Sequence, residues 1–512
     1  MPSVLPSGRV LLEAMKDAEG PVAVIDIGSN SARIVVYRLE GGLSTQILAS
    51  SRGSLRLVRE LDATHRLSRE AQDRAFEALQ DFRAIALGAG ATRTFALATA
   101  AVRDAENGKT FLAEVKKRTG FDVRILSGDE EARFGFLGAV GGLPVEHGVL
   151  FDVGGGSMQV TRFRQRRVMH AVSLPLGSLR LSDAFLKSDP PSSGEVRRLS
   201  EHAHALLEQA GVSPLEPGES LVGTGGTVRN LAKVDLRSRD YPVARLHGYV
   251  LTRKRLKEVL ELVTDRKMKK RADIPGLNED RGDSIVGGGL AIAALVNLLE
   301  ADEVWVSGQG VREGLARSLR SEDLPSPREV RAASVRALAA RFVGWEAESG
   351  ERRAAIAEAL LSALDLAPDP DVKESLLHAA TLLDVGRSVD FFDRHEHVAD
   401  IVLATDLLGF SHRGIALVSS IVRAAGDEDT KPRPYAPLVT AKDEEAVRRA
   451  GALLALADDI GERCPRGETV KVECRVTKDE VVVKVKALAG WRTRTIGKRF
   501  ERAFGRSLTV TT

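Results

Sequence analysis

Cysteine, net charge and long apolar runs are all scarce in this chain of 512 residues. The 2 cysteines, Cys464 and Cys474, can build neither a disulfide framework nor a four-ligand zinc site, which fits a reducing cytoplasm. A formal net charge of +3, from 74 Lys+Arg against 71 Asp+Glu, excludes a bulk nucleic-acid binder. Any anion site must therefore come from local clustering. The longest apolar run, LAIAALVNLL at residues 290–299, lies between Gly289 and Glu300 and is too short to span a bilayer. The opening residues lack a basic start followed by an apolar core, so no signal peptide is expected. The default is a cytoplasmic protein without membrane or nucleic-acid partners.

What is present is α/β layering. With 43% hydrophobic and 28% charged residues the chain reads as soluble and globular, and its length suggests three or four domains. Residues 1–20 read as a tail closed by Gly20-Pro21. Strands and helices then alternate to about Leu319, with a helix expected from about Ser68 to Leu87 and another from Glu130. SEDLPSPREV, with two prolines, reads as a linker. The pattern from about Arg328 to Arg463 is almost purely helical. After Pro465, TVKVECRV and EVVVKVKA alternate as a hairpin, and a short basic helix follows.

An internal repeat carries the chemistry. Asp26-Ile-Gly28-Ser29-Asn30-Ser31 and Asp152-Val-Gly154-Gly155-Gly156-Ser157 each sit between two apolar strands. Glycines let successive backbone N–H groups converge on a phosphate, and Ser adds a hydroxyl donor. Asp26 and Asp152 would repel phosphate unless Mg²⁺ or water lies between, and Mg²⁺ favours one or two carboxylates plus phosphate oxygens. One copy alone reads more readily as an ordinary Gly/Ser hairpin; two copies suggest related halves facing a cleft. LVGTGGTVRNLA adds a third glycine turn, Gly225-Gly226-Thr227, which helix–strand packing would explain equally well. Arg103, just after a strand, could clamp phosphate oxygens with its planar fork, or could pair with Asp104 or Glu106 on the surface. Glu130 and Glu131 open a helix, where one can cap while the other faces the cleft and activates water.

In this order, DIGSNSARIVVY, ATAAVRDAENG, ILSGDEEARFGF, FDVGGGSMQV, GTGGTVRNLA and SIVGGGLAI…VWVSGQGVREG resemble the exopolyphosphatase/guanosine pentaphosphatase (Ppx/GppA) family over roughly residues 22–320. The resemblance implies α/β, actin-like ATPase (ribonuclease H-like) duplicated domains over residues 1–134 and 135–320. An all-helical HD-like domain at 325–464 and a small α+β domain at 466–512 would follow. It implies Glu131 as catalytic base, Arg103 as stabiliser of the transferring phosphoryl group, and Asp152 as a holder of Mg²⁺. The backbones of Gly28–Ser31 and Gly154–Ser157 would cradle phosphates. Where the family pattern has Glu after the second cradle, this chain has Gln159, which keeps an acceptor oxygen but loses a charge. In the helical half the expected His-Asp pair reads Leu383-Asp384. His378, His395, His397 and Asp458 remain, and the domain reads as non-catalytic.

The expected reaction is hydrolysis of the terminal phosphate of inorganic polyphosphate, or of pppGpp. A kinase of the same superfold and a non-enzymatic polyphosphate or alarmone sensor are the competing readings. A homodimer is implied by resemblance to long family members. Basic runs at 162–167 (RFRQRR) and 266–271 (RKMKKR) read either as solvated faces or as a track for a polyanion.

Overall fold

The run VAVIDI at Val22–Ile27 (β1) is buried along almost its whole length, as a strand covered on both faces must be. In the computed structural model it pairs antiparallel with Ser31–Leu39 (β2) and parallel with Arg93–Ala98 (β4). With Thr45–Ser54 (β3) and Val123–Ile125 (β5) these form a sheet of order β3-β2-β1-β4-β5. A second sheet repeats the plan. Gly148–Val153 (β6), Met158–Arg164 (β7) and Arg167–Leu174 (β8) form an antiparallel meander. Ser220–Thr224 (β9) and Glu303–Val306 (β11) continue it in parallel, and Tyr249–Thr252 (β10) closes the far edge. Removing β10 leaves five strands in the same order and sense as the first sheet. The halves are duplicated, and the fold is the actin-like ATPase fold expected from the sequence.

The structure describes residues 20–39, 45–57, 61–321, 323–364, 369–427, 433–468, 470–486, 488, 491 and 494–511. The expected tail at 1–20 lies, but for Gly20, outside them. The chain divides into two units, Met1–Arg239 with Leu246–Val330, and Asp240–Arg245 with Arg331–Thr512.

In the first unit, Arg69–Gly88 (α1) starts where Ser68 accepts from the Ala71 amide. Its Ala71, Ala75, Phe76, Leu79 and Phe82 recur at helical spacing and cover one face of the first sheet. Short helix Ala100–Arg103 (α2) follows β4, Gly128–Gly141 (α3) follows β5, Gly226–Arg237 (α4) follows β9 and Val311–Ser318 (α6) follows β11. Leu315, Ala316 and Leu319 cover the other face of the first sheet. The boundary expected at 134/135 thus falls inside α3, and the last helix of the second half returns to the first sheet. A Cβ on Gly138 would lie 1.8 Å from Gly310 O, and one on Gly314 would lie 1.7 Å from Phe134 O, so α3 and α6 touch backbone to backbone. Ile285–Leu298 (α5) takes up most of the long apolar run and is buried on nearly every side. No helix among the described residues is long and apolar enough to cross a membrane.

In the second unit, Ala347–Ala363 (α7), Pro370–Leu382 (α8), Arg394–Ala404 (α9), His412–Gly426 (α10) and Glu444–Glu462 (α11) surround a leucine-, valine- and alanine-rich core. The expected hairpin, Val472–Val476 (β12) and Glu480–Val485 (β13), packs into that same core, as does Arg494–Phe504 (α12). A further strand, Ser507–Thr511 (β14), runs parallel to β13.

The basic runs are partly consumed inside the fold. Arg162 and Arg164 pair with Glu216 and Glu219, and Arg167 faces Asp323 at 3.6 Å. Arg166 is buried and donates to the carbonyls of Val140, Gly141, Leu143 and Val145. Arg271 is buried likewise, donating to Val263, Arg266 and Gly282 carbonyls. Arg162, Arg166 and Arg271 are thus already occupied and cannot join the expected track, whereas Arg167, Arg266, Lys267, Lys269 and Lys270 stay exposed.

Candidate active site

The two repeats close in the same way. Gly28 N–H donates to Ser31 O at 3.1 Å, and Gly154 N–H donates to Ser157 O at 2.9 Å. Each turn joins a buried strand to its antiparallel neighbour and leaves an aspartate two residues before its first glycine. The tips approach one another: a Cβ on Gly155 would lie 3.3 Å from Ser29 Cβ and 3.4 Å from Asn30 Cβ. The third turn reaches the same place. Gly225 has φ +93°, and a Cβ there would lie 2.4 Å from Asp152 Oδ1, so only glycine fits.

Together these turns line one cavity of about 160 Å³, with Asp26, Asp152, Glu131 and Gln159 on its walls. Gly28, Ser29, Asn30, Ser31, Gly154, Gly155, Ser157, Gly225 and Gly226 all line it. Gly156 and Thr227 do not. Gly156 is buried behind the second turn, and Thr227 packs where a Cβ on Gly288 would meet it at 2.9 Å. Arg103 also stands outside the cavity wall. It holds Leu126 O at 2.9 Å, Glu131 Oε2 at 3.3 Å and Asp104 at 3.5 Å. It therefore meets both its surface reading, through Asp104, and the carboxyl of Glu131.

The two adjacent glutamates separate as expected. Glu130 closes a capping box: Ser127 N–H donates to its carboxylate at 3.1 Å and its own N–H donates to Ser127 Oγ at 3.2 Å. It also pairs with Arg124. Glu131, one residue on, turns into the cavity. Burial pushes its carboxyl up to about 7; the charges of Asp152 and Asp26 add to the rise and Arg103 opposes it. Asp152 stands at about 6, raised by burial and by Asp26 against the pull of Arg229 and Arg312. Asp26 is raised too, by burial first.

Four arginines on the walls were not singled out from the sequence: Arg33, Arg229, Arg281 and Arg312. Burial, then the mutual repulsion of Arg312, Arg52, Arg229 and Arg281, lowers Arg33 to about 10. Arg281 Nε and Arg312 Nε are buried without a hydrogen-bond acceptor. A signal for Arg33 existed, since it lies two residues after Ser31 on a strand and so shares its face. Arg229 sits one turn into α4, inside the third glycine motif. Arg312 lies in the VWVSGQGVREG motif, where nothing marked it as a cavity residue, and Arg281 comes from a segment outside the quoted motifs.

The donor set fits Mg²⁺. Two carboxylates face one cavity and disfavour each other's ionisation, and both polar atoms of the Asn30 amide are buried without a partner. Gln159, opposite Asp152 across β6 and β7, donates its amide to Ser157 Oγ at 2.9 Å and keeps its carbonyl oxygen to offer. Among the described residues no group of three His, Cys, Asp or Glu could hold a metal alone. Phosphate oxygens and water would have to complete the shell, as Mg²⁺ prefers.

In the second unit the candidate metal ligands are otherwise engaged. Asp384 and Asp458 are bridged by Arg353, and His378 packs edge-on against Phe410 with Glu374 at 3.5 Å. Burial and Arg394 lower His395 to about 4, and His397 is half-buried near Asp390.

A matching glycine turn at the same corner of each duplicated half, with a cavity between them, defines a protein of the actin-like ATPase class. Residues 35–322 match the Ppx/GppA phosphatase family, and residues 330–496 match Ppx/GppA phosphatase, domain III. The chain belongs to the Ppx/GppA phosphatase family. It is 31% identical over 306 residues to Exopolyphosphatase 1 of Mycobacterium tuberculosis, covering 59% of this chain and 89% of that one. The Mycobacterium leprae Exopolyphosphatase 1 is 30% identical, with 59% and 90% covered. Among solved structures, the Aquifex aeolicus Ppx/GppA family member shares 29% identity at a TM-score of 0.51, over 58% of this chain and 96% of that one. An exopolyphosphatase from Cytophaga hutchinsonii, at 23% identity and a TM-score of 0.54, shares the fold over 59% of this chain and 98% of its own.

Proposed function

We propose that the chain is an exopolyphosphatase, removing the terminal phosphoryl group of inorganic polyphosphate by attack of a water that Glu131 activates. pppGpp, which ends in the same anhydride, is the alternative substrate. The observation that carries the reading is Glu131 itself: a carboxyl held at about 7 in a cavity walled also by glycine turns, four arginines and the carboxyls of Asp26 and Asp152. A base poised near neutrality can take a proton from water at the moment of attack. The relatives named as exopolyphosphatases support polyphosphate over pppGpp.

The chain's own residues divide the work. Backbone N–H groups of the two turns and the guanidinium groups of Arg33, Arg229, Arg281 and Arg312 bind and orient the terminal phosphates. Charge growing on the transferring group meets donors already in place, which is where most phosphoryl-transfer catalysis comes from. Arg103 holds the Glu131 carboxylate from outside the cavity wall. Asp26 and Asp152, with Asn30 and Gln159, would hold Mg²⁺, which when bound neutralises phosphate oxygens. A cytoplasmic homodimer belongs to the same proposal, on resemblance to long family members.

The test is phosphate release from long polyphosphate and from pppGpp, each with Mg²⁺ and with a chelator. Mg²⁺-dependent release, faster from polyphosphate, is expected. Tight binding of both substrates without turnover under any divalent metal would make the chain a sensor instead. Transfer of phosphate from ATP to acetate or a sugar would place it with the kinases.

A further inference from the structure

Arg229 is the most firmly held of the cavity arginines. Its Nε donates to Ser307 O at 2.9 Å, and its Nη2 donates to Gln309 O at 3.0 Å and to Thr224 Oγ1 at 2.8 Å. Nη1 makes no hydrogen bond among the described residues. The two carbonyls that fix the guanidinium plane flank Gly308, so the conformation of this turn decides where the free edge of the arginine points.

Gly308 is itself held by one side chain. Its N–H donates to Nδ1 of His247 at 3.2 Å, which makes Nδ1 an acceptor and leaves the ring proton on Nε2. Nε2 lies 2.8 Å from Gly142 O, at the end of α3, and donates to it. His247 is only 7% exposed, and a Cβ on Gly308 would lie 3.1 Å from its Cβ, so ring and turn are in close contact. The neutral ring thus ties the helix that carries Glu131 to the turn that aims Arg229.

We propose that His247 is a positioning residue of the phosphate site, holding the 307–310 turn and through it the Arg229 guanidinium. The inference rests on the reading that Arg229 binds substrate phosphate. A displacement of about 1 Å at such a distance from the chemistry can cost up to about 100-fold in rate.

Two substitutions dissect the ring. In His247→Asn the amide oxygen takes the place of Nδ1 and keeps the Gly308 bond, whereas His247→Ala removes both bonds. With long polyphosphate as substrate, His247→Ala should lower kcat/KM by about 10- to 100-fold, and His247→Asn should recover most of the loss. The deciding measurement is the pairing with Arg229→Met. If His247 acts through Arg229, adding His247→Asn or His247→Ala to Arg229→Met costs nothing more. If the losses multiply in the double variants, or if His247→Asn is as poor as His247→Ala while melting like the parent, the inference is overturned. If Arg229→Met alone leaves kcat/KM unchanged, the reading of Arg229 as a phosphate ligand fails first, and that outcome is separate. Should His247→Ala not fold, the asparagine variant and its double carry the same decision.

Discussion

Both units bury arginine beside aspartate, and they do opposite things with it. In the second unit Arg353 is 3% exposed and saturated: Nε donates to Asp458 Oδ1 at 2.7 Å, Nη2 to Asp384 Oδ2 at 2.7 Å, and Nη1 to Ala380 O at 2.8 Å. Arg394 takes the remaining oxygens of both carboxylates. In the first unit Arg33 and Arg281 hydrogen-bond to no carboxylate among the described residues, and the neighbouring Asp26 and Asp152 are pushed toward their neutral forms. A closed set of charges holds the fold. An open set lowers its free energy only when an anion, with its counter-cation, arrives.

The difference can be broken at four places. The largest effect is expected at Glu131, on the open side. Glu131→Gln should lower kcat by two to four orders of magnitude, roughly the worth of a general base, while Glu130→Gln, a capping residue, should do much less. The parent should also lose kcat/KM as pH falls through about 7, because protonating a raised carboxyl removes the base. That limb should vanish in Glu131→Gln. Equal losses at both glutamates would undo the assignment.

Next is the closed side. Arg353→Met leaves Asp384 and Asp458 buried with one partner fewer, a change that typically costs about 3–5 kcal/mol. Thermal melting should fall sharply, while kcat per folded molecule stays within about two-fold. A large drop in kcat at unchanged melting temperature would make the two clusters alike after all.

Arg33→Gln is the sharpening experiment. Removing a crowded cation should leave melting unchanged or slightly higher, and raise KM for polyphosphate by about ten-fold, the worth of one lost phosphate contact. A marked loss of stability would mean that Arg33 is structural. The smallest effect is expected for Gln159→Glu, which restores a carboxylate opposite Asp152. A few-fold fall in the Mg²⁺ concentration needed for half-maximal rate should appear in a metal titration, and an unchanged curve would show a site rebuilt around glutamine.

What could be read in advance was local. The paired strand–turn–strand units were legible because apolar strands and glycine turns are written in consecutive residues. The split between Glu130 and Glu131 was legible because a capping box fixes one of them and adjacent helix positions diverge. Arg281 was not, because tertiary folding alone brings it to the cavity, and Arg312, though inside the VWVSGQGVREG motif, carried no mark of its place on the wall. The run RFRQRR stayed open between a solvated face and a track for a related reason: its charge is visible in the sequence, but Glu216 and Glu219, which pair with Arg162 and Arg164, lie about fifty residues away. Leu383 stands where the expected pair would have a histidine, yet nothing local announced that Arg353 would bridge Asp384 and Asp458.

The contact between α3 and α6 sets a manufacturing tolerance for the whole site. Gly138 lies seven residues after Glu131, two turns along the same face of α3, or about 10 Å along the helix. Gly310, whose oxygen a Cβ at 138 would meet at 1.8 Å, is itself a cavity residue. A single added methyl at that point would act as a shim, prising apart the rod that carries Glu131 and the wall it faces. The alignment of Glu131 with the opposite cavity wall is therefore gauged by the thickness of two hydrogen atoms.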